Sequence, residues 1–349
     1  MTESHLQTRI AKALPSLLGA LKVVDARSVE RAKGPRDLAV RITTPAGRSR
    51  WLRIRVKPDA VPSRVRETAR GVKTDARGSS RPYPVVASTF LSPRVRQICQ
   101  EEGVGYLDLA GNCRLALDDF HFEKVVERNP FPARGRPASL FSPVSSRVVR
   151  AMLEEPERRW RVLELAEVTD VSLGQASNVC RRLLDDDYVR RAEDGLSLRD
   201  PAKLIDAWSA ADTLACSRQL IYYSFDREPE RLMKRIAEVG RSRKWPYALT
   251  GSSAASLVAP FVHGVGLVQC YIHDARAADA WVAALNLRPV EAGPNIALVV
   301  PFDRGVFYRQ QAIDRIALVG NVQLYLDLVR DPARGREQAD FLRQQKLGF

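Results

Sequence analysis

"SLGQASNVCRRLLDDD", residues 172–187, decides how the middle of the chain is read. Ala176, Val179, Cys180, Leu183 and Leu184 recur at i, i+3, i+4, i+7 and i+8, one apolar stripe of an amphipathic helix. The opposite face carries Gln175, Ser177, Asn178, Arg181 and Arg182. Ser172 is placed as the N-cap, and with Gln175 three residues later it fits a capping box. In that box Gln175 folds back onto the backbone N–H of Ser172. Asp185, Asp186 and Asp187 fall at the C-terminal end, where the macrodipole disfavours carboxylates. They read as a helix end that also keeps itself away from a polyanion.

The flanking segments give this helix its setting. Upstream, "SSRVVRAMLEE" places Val148, Val149, Met152 and Leu153 on one stripe, with Ser145 or Ser146 as N-cap. "RWRVLELAEVTD" does the same with Val162, Leu165, Ala166 and Thr169. Downstream, "VRRAEDGLSLRD" holds two short alternating runs around Asp194 and Gly195, a type I′ hairpin signal because both residues tolerate positive φ. Helix, helix, tight turn, helix, hairpin is the order of a winged helix-turn-helix, here residues 139–209. With double-stranded DNA as partner, the third helix lies in the major groove with its leading polar residues at base edges. Gln175 and Asn178 then pair with adenine, and Arg181 and Arg182 with guanine or phosphate. Ser172 and Ser177 complete that face. Arg190, Arg191 and Arg199 of the hairpin reach phosphate or the minor groove. The alternative is a helical module that docks a protein.

A linker, "NPFPARGRPASLFSPVSS", with Pro130, Pro132, Pro137 and Pro143, sets off an N-terminal block of residues 1–138. A softer boundary near residues 208–217 opens a C-terminal block, 210–349. In the first block, Leu6, Ile10, Leu14, Leu17, Leu18 and Leu21 predict an amphipathic helix. Strands are predicted near residues 23–31, 38–43, 51–57, 84–89 and 106–110, and helices over 64–72 and 93–102. In the last block "QLIYYSF", "YALTG", "GLVQCYI" and "IALVV" read as strands. "PERLMKRIAEVGRS", "SSAASLVAPF", "ARAADAWVAALN", "NVQLYLDLVRD" and "GREQADFLRQQ" read as helices. The expected class is α/β (α+β), multidomain.

The net charge of +14 is unevenly spread: +12 over residues 1–140, −2 over 141–209 and +4 over 210–349. The excess lies mostly in residues 48–96 and points to an anionic partner, with Arg53, Arg55 and Lys57 among its phosphate contacts. Affinity is therefore expected from the first block and specificity from the middle one. No apolar run approaches the ~20 residues of a membrane span, and the start lacks the order of a secretory signal. A cytoplasmic protein with no membrane partner is expected. The five cysteines stand singly with no CxxC pair, and His263, Cys270 and His273 match no common zinc spacing. No cofactor and no metal are expected.

The order helix, three-strand meander, helix, strand resembles the restriction-endonuclease-like core. In that family a metal-binding Asp on the second strand is followed on the third by Asp/Glu-x-Lys. "PRDLAVRI" supplies Asp37, but "RIRVK" places Arg55, Val56 and Lys57 at the second motif. A guanidinium cannot ligate Mg²⁺, so the resemblance implies an inactive nuclease with a basic groove left over. "TGSSAASLVAPF" also looks like the Gly-Ser helix start of nucleotidyltransferases, where the next strand supplies Asp-x-Asp. Here that strand is "LVQCYIHD", with Gln269 and Tyr271 where carboxylates are needed and Asp274 beyond it. Two-metal chemistry needs those carboxylates, so no catalysis is expected.

Taken together, "VGYLDLAGNCRLAL", the winged helix, "YALTGSSAASLVAPF" and "VQLYLDL…REQADFLR" occur in this order and resemble the AbiEi-family antitoxins of type IV toxin–antitoxin systems. The resemblance implies an autorepressing transcriptional regulator encoded beside a nucleotidyltransferase toxin, with no stable toxin complex. It would bind operator DNA at inverted repeats, as a homodimer or with two domains of one chain. The alternatives are a metal-dependent nuclease or nucleotidyltransferase acting on nucleic acid, or a protein-docking winged-helix scaffold.

Overall fold

Helix α1 (Glu3–Leu18) begins at Thr2, whose hydroxyl accepts the His5 backbone N–H at 3.4 Å, and buries Leu6, Ile10, Leu14, Leu17 and Leu18. The apolar spacing of the segment dictates this, because residues three and four apart share one face of a helix. The structure, a computed structural model, describes the chain except residues 1, 20, 30–36, 59, 77–81, 119, 127–129, 132–138, 212–216, 262–263 and 333. Arg31, Pro132, Pro137, Cys216 and His263 therefore lie outside the described residues. The described chain is mixed α/β throughout and divides into two compact units. One is Met1–Arg136 with Leu184–Asp187, the other Pro137–Leu183 with Tyr188–Phe349.

The first unit holds a seven-stranded sheet in chain order. β1 (Lys22–Val29), β2 (Asp37–Thr43) and β3 (Ser49–Val56) form an antiparallel meander. β4 (Tyr83–Ser88) and β5 (Gly105–Asp108) continue it in parallel, each after a crossover helix, α2 (Pro62–Asp75) and α3 (Pro93–Glu101). Such crossovers are obligatory for parallel neighbours. β6 (Cys113–Leu117) and β7 (Phe120–Lys124) close the sheet as an antiparallel pair. One face packs α1 against Val40, Ile42, Leu52, Ile54, Val85 and Leu107. A second cluster joins Val65, Ala69 and Val72 of α2 and Val95, Ile98 and Cys99 of α3 to Val86 and Tyr106.

In the second unit, α4 (Pro143–Glu154), α5 (Val162–Thr169) and α6 (Leu173–Asp185) precede a hairpin of β8 (Val189–Ala192) and β9 (Gly195–Leu198), then α7 (Pro201–Ser209). A mixed sheet follows. Its strands are β10 (Arg218–Tyr223), β11 (Tyr247–Thr250), β12 (Val268–Ile272), β13 (Arg288–Pro289), β14 (Ile296–Val300), β15 (Gln311–Ile313) and β16 (Ile316–Leu318). They lie in the spatial order β13-β10-β14-β12-β11-β16-β15. Helices α8 (Pro229–Arg243), α9 (Gly251–Val258), α10 (Ala278–Leu285), α11 (Asn321–Leu328) and α12 (Gly335–Leu342) complete it. Among the described residues no helix is long and apolar enough to cross a membrane.

Charged side chains of α4 tie the helices to the sheet. Arg150, with no solvent exposure, donates from Nη2 to Gln323 Oε1 of α11 at 2.5 Å and stacks over Trp208 of α7 at 4.9 Å. Burial brings its pKa down to about 10. Arg147 grips Asp303 with two bonds, at 2.8 and 2.6 Å. Glu154 accepts the Val322 backbone N–H at 3.0 Å. Burial pushes the Glu154 carboxyl up to about 7, against the lowering effect of that bond and of Arg150 and Arg309. The folded chain thus holds this proton to higher pH than the unfolded one. Its contribution to stability is full below about pH 4.3, the unfolded carboxylate value, and is lost as pH rises through about 7. Between pH 4.5 and 7.5 the melting temperature of the wild type should therefore fall relative to that of Glu154→Gln. The gap should correspond to about 3 kcal/mol and is read by paired thermal melts across that range.

Candidate nucleic-acid interface

α6 is closed at both ends by its own chain. Ser172 Oγ accepts the Gln175 N–H at 3.2 Å, as an N-cap should. At the far end Asp187 adopts φ 61°, and the Tyr188 and Asp187 N–H groups return to the carbonyls of Leu183 and Leu184 at 2.9 and 3.1 Å. That is a Schellman closure with aspartate in the left-handed position. α5 ends the same way at Asp170, φ 50°, and Arg147 Nη1 holds the Asp170 carbonyl at 3.0 Å. The tight turn between α5 and α6 is thereby pinned to α4. Ala176, Val179, Cys180 and Leu183 are buried as their spacing requires, while Leu184 is half-buried.

The outer face of α6 is less uniform than its composition. Gln175 does not complete the capping box: its Nε2 donates to Ser145 Oγ of α4 at 3.0 Å, so the expected return bond to Ser172 is absent. The same bond removes Gln175 from the free face. Arg182 is half-buried and engaged within the protein. Ser177, Asn178 and Arg181 make no hydrogen bond or ion pair with the described residues, and Asn178 and Arg181 are exposed. Sequence reasoning missed two neighbours. Leu173 is 54% exposed, and a Cβ added at Gly174 would meet nothing within 4 Å. A glycine in the first turn lowers helix stability by roughly 1 kcal/mol relative to alanine, and no contact within the protein requires it. That mismatch is the signal that could have singled it out.

The hairpin forms one residue away from the expected register. Ala192 pairs with Gly195, so the two loop residues are Glu193 and Asp194, and neither has positive φ. The type I′ reading around Asp194 and Gly195 is therefore corrected. Gly195 serves a different purpose, since a Cβ there would stand 2.7 Å from the Trp160 carbonyl oxygen. Trp160 exchanges two backbone hydrogen bonds with Leu196, each 2.8 Å, which draws the two backbones together. Arg190, Arg191 and Arg199 are all exposed, with Arg190 Nε donating to Ser197 Oγ at 3.2 Å.

The basic residues of the first unit are mostly spent internally, which corrects the assignment of Arg53 and Arg55 as phosphate contacts. Arg55 is 4% exposed and fully buried Asp37 takes two bonds from it, at 3.0 and 2.9 Å. Arg55 Nη2 also reaches Asp75 at 2.5 Å. Burial opposes its charge, yet the bonds to Asp37 and Asp75 raise its pKa overall. Arg53 donates to Asp37 and to the Asp75 carbonyl, and Lys57 pairs with Glu3 at 3.2 Å. Arg66 and Arg70 bond Glu102, Arg66 and Arg94 pair with Glu101, and buried Arg96 donates to Asn112. Arg64 remains exposed. A cavity of about 450 Å³ lies beside this cluster, with Lys57, Arg64 and Glu67 on its wall. Among the described residues no group of three or more His, Cys, Asp or Glu side chains is placed to hold a metal ion. Cys99, Cys113, Cys180 and Cys270 are buried free thiols.

No family model matches the chain, and no curated protein matches it in sequence. Among solved structures, that of EndoMS in its apo form is similar at 14% identity, with a TM-score of 0.21. The match covers 31% of this chain and 46% of that one, so this chain spans under half the length of that relative.

Arg55 sits where removal of one partner strands a buried charge. Asp37→Asn should destabilise the first unit by about 3 kcal/mol, measured by urea unfolding. Asp37→Leu combined with Arg55→Met should recover stability relative to Asp37→Asn alone.

Proposed function

We propose that this chain is a sequence-specific double-stranded DNA-binding regulator that reads its site with α6. The observation that carries this reading is the outer face of that helix. Ser177, Asn178 and Arg181 make no hydrogen bond or ion pair with the described residues and stand beside exposed Leu173 and an unobstructed Gly174, while Ala176, Val179, Cys180 and Leu183 are buried. Asparagine and arginine offer the bidentate geometries that match adenine and guanine edges. Reading α4 to β9 as a winged helix-turn-helix is supported by the Asp170 turn, by the Trp160–Leu196 bridge and by the two-residue hairpin with exposed Arg190 and Arg191.

The restriction-endonuclease-like reading of the first unit is supported by its order, α1, a three-strand meander, α2 and a parallel β4. Asp37 there binds a guanidinium, which supports an inactive version. Arg53, Arg55, Arg66, Arg70 and Arg94 are paired with carboxylates of the unit, so any phosphate affinity there falls to its other basic residues, exposed Arg64 among them. The nucleotidyltransferase-like reading of the last block is supported by the run β11, α9, β12, with Gln269 and Tyr271 in place of carboxylates. The autorepressing antitoxin of a type IV toxin–antitoxin operon rests on the ordered motifs that resemble the AbiEi family. It entails operator binding at inverted repeats and an adjacent toxin reading frame, in a protein of the cytoplasm.

Selection from a randomised duplex pool, followed by gel shifts at physiological salt, tests the reading. Wild type should enrich one motif. Asn178→Ala and Arg181→Ala should each lose about tenfold preference for it while retaining affinity for random duplex. Variants that enrich the same motif with unchanged affinity would exclude α6 as the reader. Charge reversal at Arg190 and Arg191 should weaken binding to every duplex alike and reduce the salt slope by about 1 per residue.

A further inference from the structure

The antiparallel meander of the first unit has two unlike faces. Val40, Ile42, Leu52 and Ile54 pack on the side of α1 and are buried. Successive residues of a strand point to opposite sides, so the intervening positions share the other face. There the pairing register sets Arg27 beside Ala39 and Arg53, Asp25 beside Arg41 and Trp51, and Lys22 beside Thr43 and Ser49. α2 and α3 cover the sheet farther along, over Val86 and Tyr106. Lys22, Arg27 and Arg41 remain exposed, and Trp51 is half-buried.

The two arginines share one indole. The guanidinium carbon of Arg27 lies 5.1 Å from the centre of the Trp51 ring, and that of Arg41 lies 5.8 Å from it. A cation over an indole face is held by the ring's quadrupole. That attraction steadies each head and leaves its N–H donors unspent. Ala39, between Arg27 and β3 on this face, has no side chain beyond Cβ to obstruct the reach. Neither arginine makes a hydrogen bond or ion pair with a described residue, and Lys22 makes none either. Asp25, a carboxylate opposite Arg41 in register, forms no ion pair with it. Arg53 and Arg55 differ in kind, since Asp37 and Asp75 occupy their donors.

These observations choose the partner. A guanidinium meets phosphate oxygens with two parallel N–H bonds, so two steadied guanidiniums and an ammonium on an open face suit a row of phosphates. A single strand would need a bare ring on which to stack a base, and both arginines already lie over this one. A duplex keeps its bases stacked inside and presents phosphates along its outside. We propose that Lys22, Arg27 and Arg41, on the β1–β3 face that carries Trp51, bind the phosphodiester backbone of double-stranded DNA without regard to sequence. This rests on the reading of the chain as a duplex-DNA binder and adds residues other than those of α6. Trp51 acts here as a positioning residue, because heads already held lose less freedom on binding.

Fluorescence anisotropy of a random-sequence duplex, and of one of its single strands, titrated with the full chain across a salt series tests this. Removing both exposed arginines, Arg27→Gln with Arg41→Gln, should lower duplex affinity about tenfold and shrink the log–log salt slope by about 2. Trp51→Leu keeps both charges, so affinity should fall while the slope stays. If Trp51→Leu lowers the melting temperature, the arginine pair decides alone. Arg276→Gln, at an exposed position of the second unit, should change neither quantity. Preference for a selected motif should survive in the double variant, which separates this face from α6. Duplex binding by wild type with unchanged affinity and slope in the double variant would overturn the proposal and leave the DNA-binding reading standing. An equal effect from Arg276→Gln, or a loss confined to the single strand, would overturn it as well. Wild type that binds no duplex at all would remove both together.

Discussion

The guanidinium of Arg150 has no route to solvent, and the second unit is arranged around it. A buried charge survives only where neighbouring groups compensate the lost hydration. Gln323 accepts from its Nη2, the Trp208 ring lies beneath it, and Glu154, Tyr271, Asp303 and Asp327 raise its pKa against burial. Nε and Nη1 have no hydrogen-bond partner among the described residues, so its charge depends on these few neighbours. α4, α7 and α11 cannot separate without stripping them away. Because Arg147 of the same helix fixes the α5–α6 turn and Ser145 holds Gln175, the pose of α6 follows from the placement of α4. Its free face is what remains after those commitments are met.

Arg150 also links α4 to the mixed sheet. Gln323 accepts from Arg150 and donates to Asp327. Burial pushes the Asp327 carboxyl up to about 6, opposed by the Thr250, Tyr271 and Gln323 bonds. A continuous hydrogen-bonded path, Asp327 to Gln323 to Arg150, therefore runs from the last block into the helix that positions α6.

In the first unit the same logic of buried charge works on a smaller scale. Asp37 is the acid expected at a metal-binding position, and the guanidinium of Arg55 supplies the positive charge that neutralises it. With Asp75 beside it the cluster holds two carboxylates and two arginines in a few ångströms. Such a cluster of two arginines and two carboxylates adds nothing to the net +12 of residues 1–140, which counts only the basic residues in excess of carboxylates.

Local periodicity made much of the architecture legible. The stripes of α1 and α6, the three-helix order and the C-terminal strands follow from side chains spaced within a turn or a pleat. The short pairs β6–β7 and β15–β16 were not legible, because strands of three to five residues carry too little alternation to stand out. The candidate site divides the same way. Residue types on the outer face of α6 were evident from sequence, but Gln175 is spent on Ser145, 30 residues away, and Arg150 on Gln323, 173 residues away. Sequence by itself determined which residues share a face and what chemistry they can offer. Tertiary structure decided which of them remain free, because a polar group's partner is set by distance through space and not by separation along the chain.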